Sequence, residues 1–251
     1  MRIRHVLPGF GRIPSKPESG SMSGIVGVAY NLACQQAASG WEAEVMGLAA
    51  PGERASAVMW SDRLRALPVR PWKWCQLGGY DFRYFAPVAT RLLLASPVDV
   101  HHVYSNAYLL APGRGRVRVL HYQTPISGAR PADERAIGRA DAVICCSVFV
   151  RRQFQQHVEY PADRVHVVYN GVDLERFRPG DRQASRARLG IPRNEVVILF
   201  AGQVTEEKGL LHLVRACQVL ASELDFHLVV AGSSHLWGGA GKLPERTIYE
   251  R

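Results

Sequence analysis

Short apolar runs alternate with longer stretches of helical periodicity along most of this 251-residue chain. Runs at residues 3–7, 99–104 and 117–122 predict strands, because they are short, rich in β-branched residues and bounded by glycine, proline or polar residues. From Ile25 the apolar positions recur at helical spacing until Gly40, which predicts a helix that ends at this glycine. Strands that alternate with helices are typical of an α/β protein with a parallel sheet.

The same reading extends along the rest of the chain. Further strands are predicted at residues 42–48, 57–60, 142–146, 165–168, 196–201 and 226–231. Further helices are predicted at residues 84–94, 147–155, 183–189 and 210–220. The helix at 84–94 has a predicted apolar stripe formed by Phe85, Val88, Ala89, Leu92 and Leu93. Residues 67–79, rich in tryptophan and proline, fit neither period. They are consistent with an acceptor pocket, a membrane-interface contact or ordinary packing.

A polar linker divides the pattern into two parts. The strand at 165–168 is followed by an Asn-Gly turn and by residues 173–177, which carry the chain away from it. A new apolar strand then begins at Val196 and ends at a glycine. We therefore predict two α/β domains, at residues 1–180 and 181–251.

Composition narrows the class of protein. With 47% hydrophobic and 21% charged residues, the chain can bury a sizeable core, which excludes an intrinsically disordered protein. The initial apolar run is too short for a signal peptide, and no run reaches about 18 apolar residues, so we expect a soluble cytoplasmic protein. Five cysteines without C-x-x-C spacing indicate reduced thiols, and nine histidines without H-x-x-x-H spacing predict no metal site.

The formal net charge of +9 comes mostly from scattered arginines. Such a diffuse positive field suits nucleotide diphosphates, acidic lipid surfaces or nucleic acid. No sequence motif of a nucleic-acid-binding module is present, so we predict no nucleic-acid partner. A solvated basic surface without a specific partner fits the charge equally well.

Two motifs resemble those of the GT-B glycosyltransferases of family 4, the glycosyl transferases group 1 type. The family's linker motif N-G-V-D-x-x-x-F-x-P is met in full, at Asn170, Gly171, Val172, Asp173, Phe177 and Pro179. The motif G-R-x-x-x-x-K-G, which opens the donor domain, is met at Gly202, Lys208 and Gly209, with Gln203 in place of the arginine. The resemblance implies a GT-B fold: a Rossmann-like N-terminal, acceptor-side domain and the first part of a second Rossmann-like, nucleotide-sugar domain.

The resemblance also implies an activity. Family 4 enzymes transfer a sugar, with retention and without a metal or other cofactor, from a nucleotide-diphosphate sugar to a sugar, lipid or small-molecule acceptor. Whether this chain also contacts a membrane peripherally stays open. The family's glutamate-x7-glutamate segment is not reached before Arg251, so we expect a C-terminally truncated member. Two alternatives stay open: a non-catalytic GT-B module that binds an acceptor or a partner chain, and a nucleotide-sugar epimerase.

Four residues are candidates for the site. Lys208 begins a helix after a buried strand and is a candidate phosphate contact, with a solvated surface lysine as the alternative. Gln203 could donate a hydrogen bond to the diphosphate but brings no charge. Gly24, together with Ser23, lies in a glycine-bearing loop that faces the cleft in the family, and a plain surface loop remains the alternative. His121 follows a strand toward its carboxyl end, where the family places a histidine close to the donor sugar. A structural histidine bonded to a backbone carbonyl is equally consistent with its position.

Overall fold

The structure is a computed structural model that describes residues 1–8, 12–14, 24–50, 52–71, 76–77, 80–126, 131–204, 206–232 and 247–249. The chain divides into two compact units, Met1–Gly171 and Val172–Arg251. This division falls within the N-G-V-D motif, whereas the predicted boundary after residue 180 lies farther along the chain. Each unit is an α/β structure, as the sequence predicted.

Among the described residues of the first unit, nine strands form one sheet. The strands of this unit are β1 Arg2–Val6, β2 Arg12–Ile13, β3 Glu42–Ala49, β4 Val58–Ser61, β5 Leu64–Val69, a small hairpin of β6 Gln76–Leu77 and β7 Tyr80–Asp81, β8 Val98–Tyr104, β9 Gly115–Tyr122, β10 Ala142–Cys145 and β11 Val165–Val167. The order across the sheet is β11-β10-β9-β8-β1-β3-β5-β4, with β2 beside β3. Only β4 runs antiparallel to its neighbour in this sheet.

Helices cover both faces of the sheet, so each face has its own core. The helices of the first unit are α1 Gly24–Ala38, α2 Phe82–Leu94, α3 Pro131–Ile137 and α4 Val148–His157. On one face α1 packs through Val26, Ala29 and Ala33. On the other face α2, α3 and α4 pack against strand residues such as Val103 and Leu120. Because both faces are covered, nearly all residues of the central strands β1, β3 and β8 are buried or half-buried.

Most predicted elements are confirmed, and two details of the first unit are wrong. The predicted apolar stripe of α2 included Leu93, which is 59% exposed, whereas Tyr84 is buried. The segment at 67–79 was interpreted as irregular, but its first residues complete the buried strand β5. Pro68 and the charged Arg65 disguised this strand in the sequence. Residues 72–75 and 78–79 of that segment, with their two tryptophans, lie outside the described residues.

The second unit contains a smaller sheet. Its elements are α5 Arg182–Leu189, β12 Val196–Ala201, α6 Leu210–Leu220, β13 Phe226–Ala231 and β14 Thr247–Tyr249. The first two of its strands are parallel and had been predicted, with Ala201 directly opposite Ala231. The third strand, β14, pairs antiparallel with β13 and was not predicted. Within the described residues, no helix combines the length and hydrophobicity that a membrane crossing requires.

Candidate functional site

The side chain of His121 lies near the carboxyl end of β9 and is 4% exposed. Both of its ring nitrogens have side-chain partners. Its Nδ1 atom lies 3.1 Å from Nε2 of His102 on β8. Its Nε2 atom lies 2.7 Å from the amide nitrogen of Gln123, which follows β9. The partners of His121 are thus side chains in place of the backbone carbonyl that was expected, and the alternative of a structural histidine stays open. His101 has that arrangement instead, with its Nε2 atom 2.9 Å from the carbonyl oxygen of Leu109.

His121 belongs to a buried cluster of four rings on the α1 face of the sheet. The rings come from three adjacent strands, because His5 on β1 pairs with His102 on β8 and Tyr104 pairs with His121 on β9. His102 and Tyr104 stack with centroids 4.7 Å apart, and His121 stacks on both at 5.2 and 5.0 Å. His5 lies 5.0 Å from His102. Since His101 and His102 are consecutive strand residues, His101 lies on the opposite face, as predicted.

Hydrogen bonds fix the ring protons on the α1 side of this cluster. The Nε2 atom of His5 donates to the side-chain carbonyl oxygen of Gln36 on α1, at 2.8 Å. Because one nitrogen of a neutral imidazole carries the proton, Nδ1 of His5 must be an acceptor. It accepts from the hydroxyl group of Tyr104 at 3.2 Å.

Burial makes the clustered histidines poor bases. Desolvation lowers the pKa of His5 to about 4 and that of His121 to about 4, in the second case with a further repulsion from His5. The pKa of His102 is lowered well below its usual value by desolvation and by the neighbouring histidines. At neutral pH the rings are therefore uncharged, and His121 can form hydrogen bonds without carrying a charge.

Gly24 is the first residue of α1 and is exposed. A Cβ atom at this position would meet nothing within 4 Å, so close packing does not require a glycine there. Ser23, its predicted companion, lies outside the described residues. The role of Gly24 near a ligand stays a prediction.

Gln203 and Lys208 lie in the loop that connects β12 to α6 in the second unit. Lys208 is exposed and ends a short 3-10 turn, Glu206–Lys208, directly before α6. Gly209 then adopts φ 77° as the N-cap residue of α6, a conformation that favours glycine. The loop therefore places Lys208 just before the free backbone N–H groups at a helix N-terminus, which attract anions, while the carboxylates of Glu206 and Glu207 in the same turn oppose them.

The backbone at the start of this loop lies very close to the backbone that follows β13. The amide of Gly202 donates to the carbonyl oxygen of Ala231 at 2.9 Å, and a Cβ atom at Gly232 would collide with the carbonyl group of Gly202. The two glycines follow β12 and β13, so they lie at the carboxyl ends of two parallel strands. Ligands of open α/β sheets bind at this edge.

The sequence identified one ring of the buried cluster and missed the rest. His5, Tyr104 and Gln36 carried no motif. The cluster could have been predicted from the alternation of side chains along each strand. Once the parallel strands are paired in register, His5, His102 and His121 lie on the same face of the sheet. Among the described residues, no group of three His, Cys, Asp or Glu side chains could hold a metal ion.

Comparisons with known proteins agree with the motifs. Residues 22–176 match the family model described as Glycosyltransferase Family 4. A D-inositol 3-phosphate glycosyltransferase 1 from Catenulispora acidiphila is 56% identical over 72 residues, which cover 28% of this chain and 17% of the relative.

Two solved structures show the same fold. Sucrose-phosphate synthase from Thermosynechococcus elongatus superposes with a TM-score of 0.72 at 16% identity, over 94% of this chain and 63% of that one. A structure described as trehalose-6-phosphate from E. coli bound with UDP-2-fluoro glucose gives 0.60 at 12% identity, over 93% of this chain and 65% of that one. The predicted GT-B fold is confirmed, and the chain spans less than two thirds of the length of the relative and of the two solved structures named above.

Proposed function

Because this chain belongs to glycosyltransferase family 4, we propose that it takes part in transferring a sugar from a nucleotide-diphosphate sugar to an acceptor. The transfer would proceed with retention at the anomeric carbon and without a metal ion. The acceptor would be a sugar, a lipid or a small molecule. A nucleotide sugar as donor is supported by the E. coli structure, which holds UDP-2-fluoro glucose in the same fold.

The observation that carries this proposal is the loop between β12 and α6. A departing nucleoside diphosphate gains negative charge, which must be stabilised by nearby positive groups. The ammonium group of Lys208 and the free N–H groups at the start of α6 lie in consecutive residues of the described chain. Gln203, in the same loop, would donate a hydrogen bond to a phosphate oxygen. These groups could stabilise the leaving diphosphate in place of a metal.

His121 would contact the transferred sugar. With a pKa of about 4 its ring is neutral at pH 7, so it would exchange a hydrogen bond with a sugar hydroxyl and would not act as a charged group. Gly24, at the start of α1, would lie where the chain approaches the substrate without a side chain. Peripheral contact with a membrane, through which a lipid acceptor would be reached, is part of the same proposal.

The direct test is calorimetric titration of the 251-residue chain with UDP-glucose and GDP-mannose, followed by assay of nucleotide release with candidate acceptors. Binding that persists in EDTA, and a product with the anomeric configuration of the donor, would support the proposal. A folded chain that binds no nucleotide sugar would refute it and leave the non-catalytic acceptor- or partner-binding module as the better account.

Lys208→Ala is expected to raise the dissociation constant of the bound nucleotide sugar about tenfold or more, because a charge-assisted hydrogen bond contributes about 1.5–3 kcal/mol. The matched control is Arg215→Ala, which removes one positive charge from an exposed position farther along α6. About seven residues of helix separate the two charges, roughly 10 Å. Equal losses for the two variants would mean that only net charge matters and would remove Lys208 from the site.

A further inference from the structure

His121 is connected to the linker between the two units by a pair of side-chain amides. The amide nitrogen of Gln123 donates to the side-chain oxygen of Asn170 at 3.1 Å. The amide nitrogen of Asn170 donates back to the side-chain oxygen of Gln123 at 2.8 Å. Asn170 is the first residue of the N-G-V-D motif, so the linker motif and His121 share one hydrogen-bond network.

This reciprocal pair couples the orientations of the two amides. Reversal of one amide alone would place N–H against N–H and oxygen against oxygen, which loses both bonds, so the two can reverse only together. In the observed orientation the second N–H of Gln123 is directed at His121, whose Nε2 atom accepts it. The ring proton of His121 is then on Nδ1, from which it is donated to Nε2 of His102.

We propose that Gln123 and Asn170 are positioning residues that hold His121 as the Nδ1–H tautomer, with Nε2 as a hydrogen-bond acceptor. Gln123 is half-buried and Asn170 is exposed, so their two amides lie between Nε2 of His121 and the surface of the first unit. The meaning of this arrangement for catalysis rests on the proposed function. A hydroxyl group of the sugar would displace the N–H of Gln123 and donate to Nε2, while release of Asn170 would accompany a change in the linker.

The opposite end of the cluster provides a contrast within the same molecule. His5 donates from Nε2 to the oxygen of Gln36, so its proton lies on the other nitrogen. Two glutamines thus face two buried imidazoles with opposite polarity: Gln123 is a donor and Gln36 is an acceptor. Replacement of each glutamine by glutamate, which can only accept when ionised, should therefore have opposite consequences.

The experiment is ¹⁵N NMR of the histidine rings in the full 251-residue chain at pH 8, without substrate. In the wild-type protein we expect the proton of His121 on Nδ1 and that of His5 on Nε2. In Gln123→Glu the carboxylate requires a donor, so the proton of His121 is expected to move to Nε2. In Gln36→Glu the ring of His5 is expected to keep its proton on Nε2. Asn170→Ala frees the amide of Gln123 to rotate and should give His121 in both tautomers.

If Gln123 only packed against His121, its replacement by glutamate would not reverse the tautomer of the ring. The measurement therefore distinguishes a positioning role of Gln123 from a role in packing alone. The proposal is overturned if Nε2 of His121 is protonated in the wild-type chain, or if Gln123→Glu leaves the proton on Nδ1. The result does not depend on binding a sugar nucleotide. Failure of the wild-type chain to bind UDP-glucose would instead count against the proposed function and leave the tautomer result in place.

Discussion

Glu44→Gln is expected to lower the free energy of unfolding by about 3–5 kcal/mol, because it leaves a buried arginine without its counter-charge. Glu44 on β3 is 2% exposed, and its partner Arg4 on β1 is 1% exposed. The Nε atom of Arg4 donates to one carboxylate oxygen at 2.6 Å, and Arg65 on β5 donates to the other. The glutamine would accept only one of these bonds and would direct N–H groups at the second guanidinium.

The sheet contains a matched control for this variant. Two residues earlier on the same strands, Arg2 and Glu42 form an ion pair of 2.7 Å, with side chains 38% and 57% exposed. Glu42→Gln therefore makes the same chemical change on the same strand pair, but in water. Urea unfolding of both variants at pH 7.5 should show a large loss for Glu44→Gln and little change for Glu42→Gln. Similar losses would show that the charge network at Glu44 is not desolvated.

Acidification from pH 6.5 to 4 is expected to destabilise the first unit steeply. The pKa values of His5, His101 and His121 are each lowered to about 4 by burial, against about 6.5 in an unfolded chain. For His101, the bond to Leu109 opposes this shift and the charges of Arg4 and Arg118 add to it.

The sign follows from proton binding. Above pH 6.5 the rings are neutral in both the folded and the unfolded state, so they cause no change in the free energy of unfolding with pH. Between pH 6.5 and 4 the unfolded chain binds protons that the folded chain excludes, so stability is lost as pH falls, by about 1.4 kcal/mol per pH unit for each fully titrating histidine. Urea denaturation at a series of pH values would measure the slope.

His101→Gln is the informative variant for that slope. A glutamine amide can donate to the carbonyl oxygen of Leu109 in place of the ring, and it does not titrate. We expect the slope between pH 6.5 and 4 to decrease by about one proton. The control is His166→Gln on β11, which makes the same substitution at an exposed position. A slope that His101→Gln leaves intact would show that His101 does not contribute to the loss of stability.

The site residues taken from motifs differ in how far the sequence could predict them. Gln203 and Lys208 are close along the chain, so a motif places them in one loop whatever the rest of the fold does. His121 was predicted because it lies near a strand end, but the contact of Gln123 with Asn170 was not, since these two residues are 47 residues apart in sequence. That contact exists only because β9, β10 and β11 are neighbours in the sheet.

The sequence by itself determined the α/β class, most of the helices and strands, and the linker and donor-loop motifs. These features depend on local periodicity, on turn residues and on short spacings, which the order of residues contains directly. The tertiary structure decided that β5 is a buried strand and that Leu93 faces water, because burial depends on neighbours that periodicity does not specify. It also decided the registers that bring His5, His102 and His121 onto one face. Burial keeps the ring of His121 uncharged, and hydrogen bonds across strands distant in sequence would set its proposed tautomer; no local pattern encodes either.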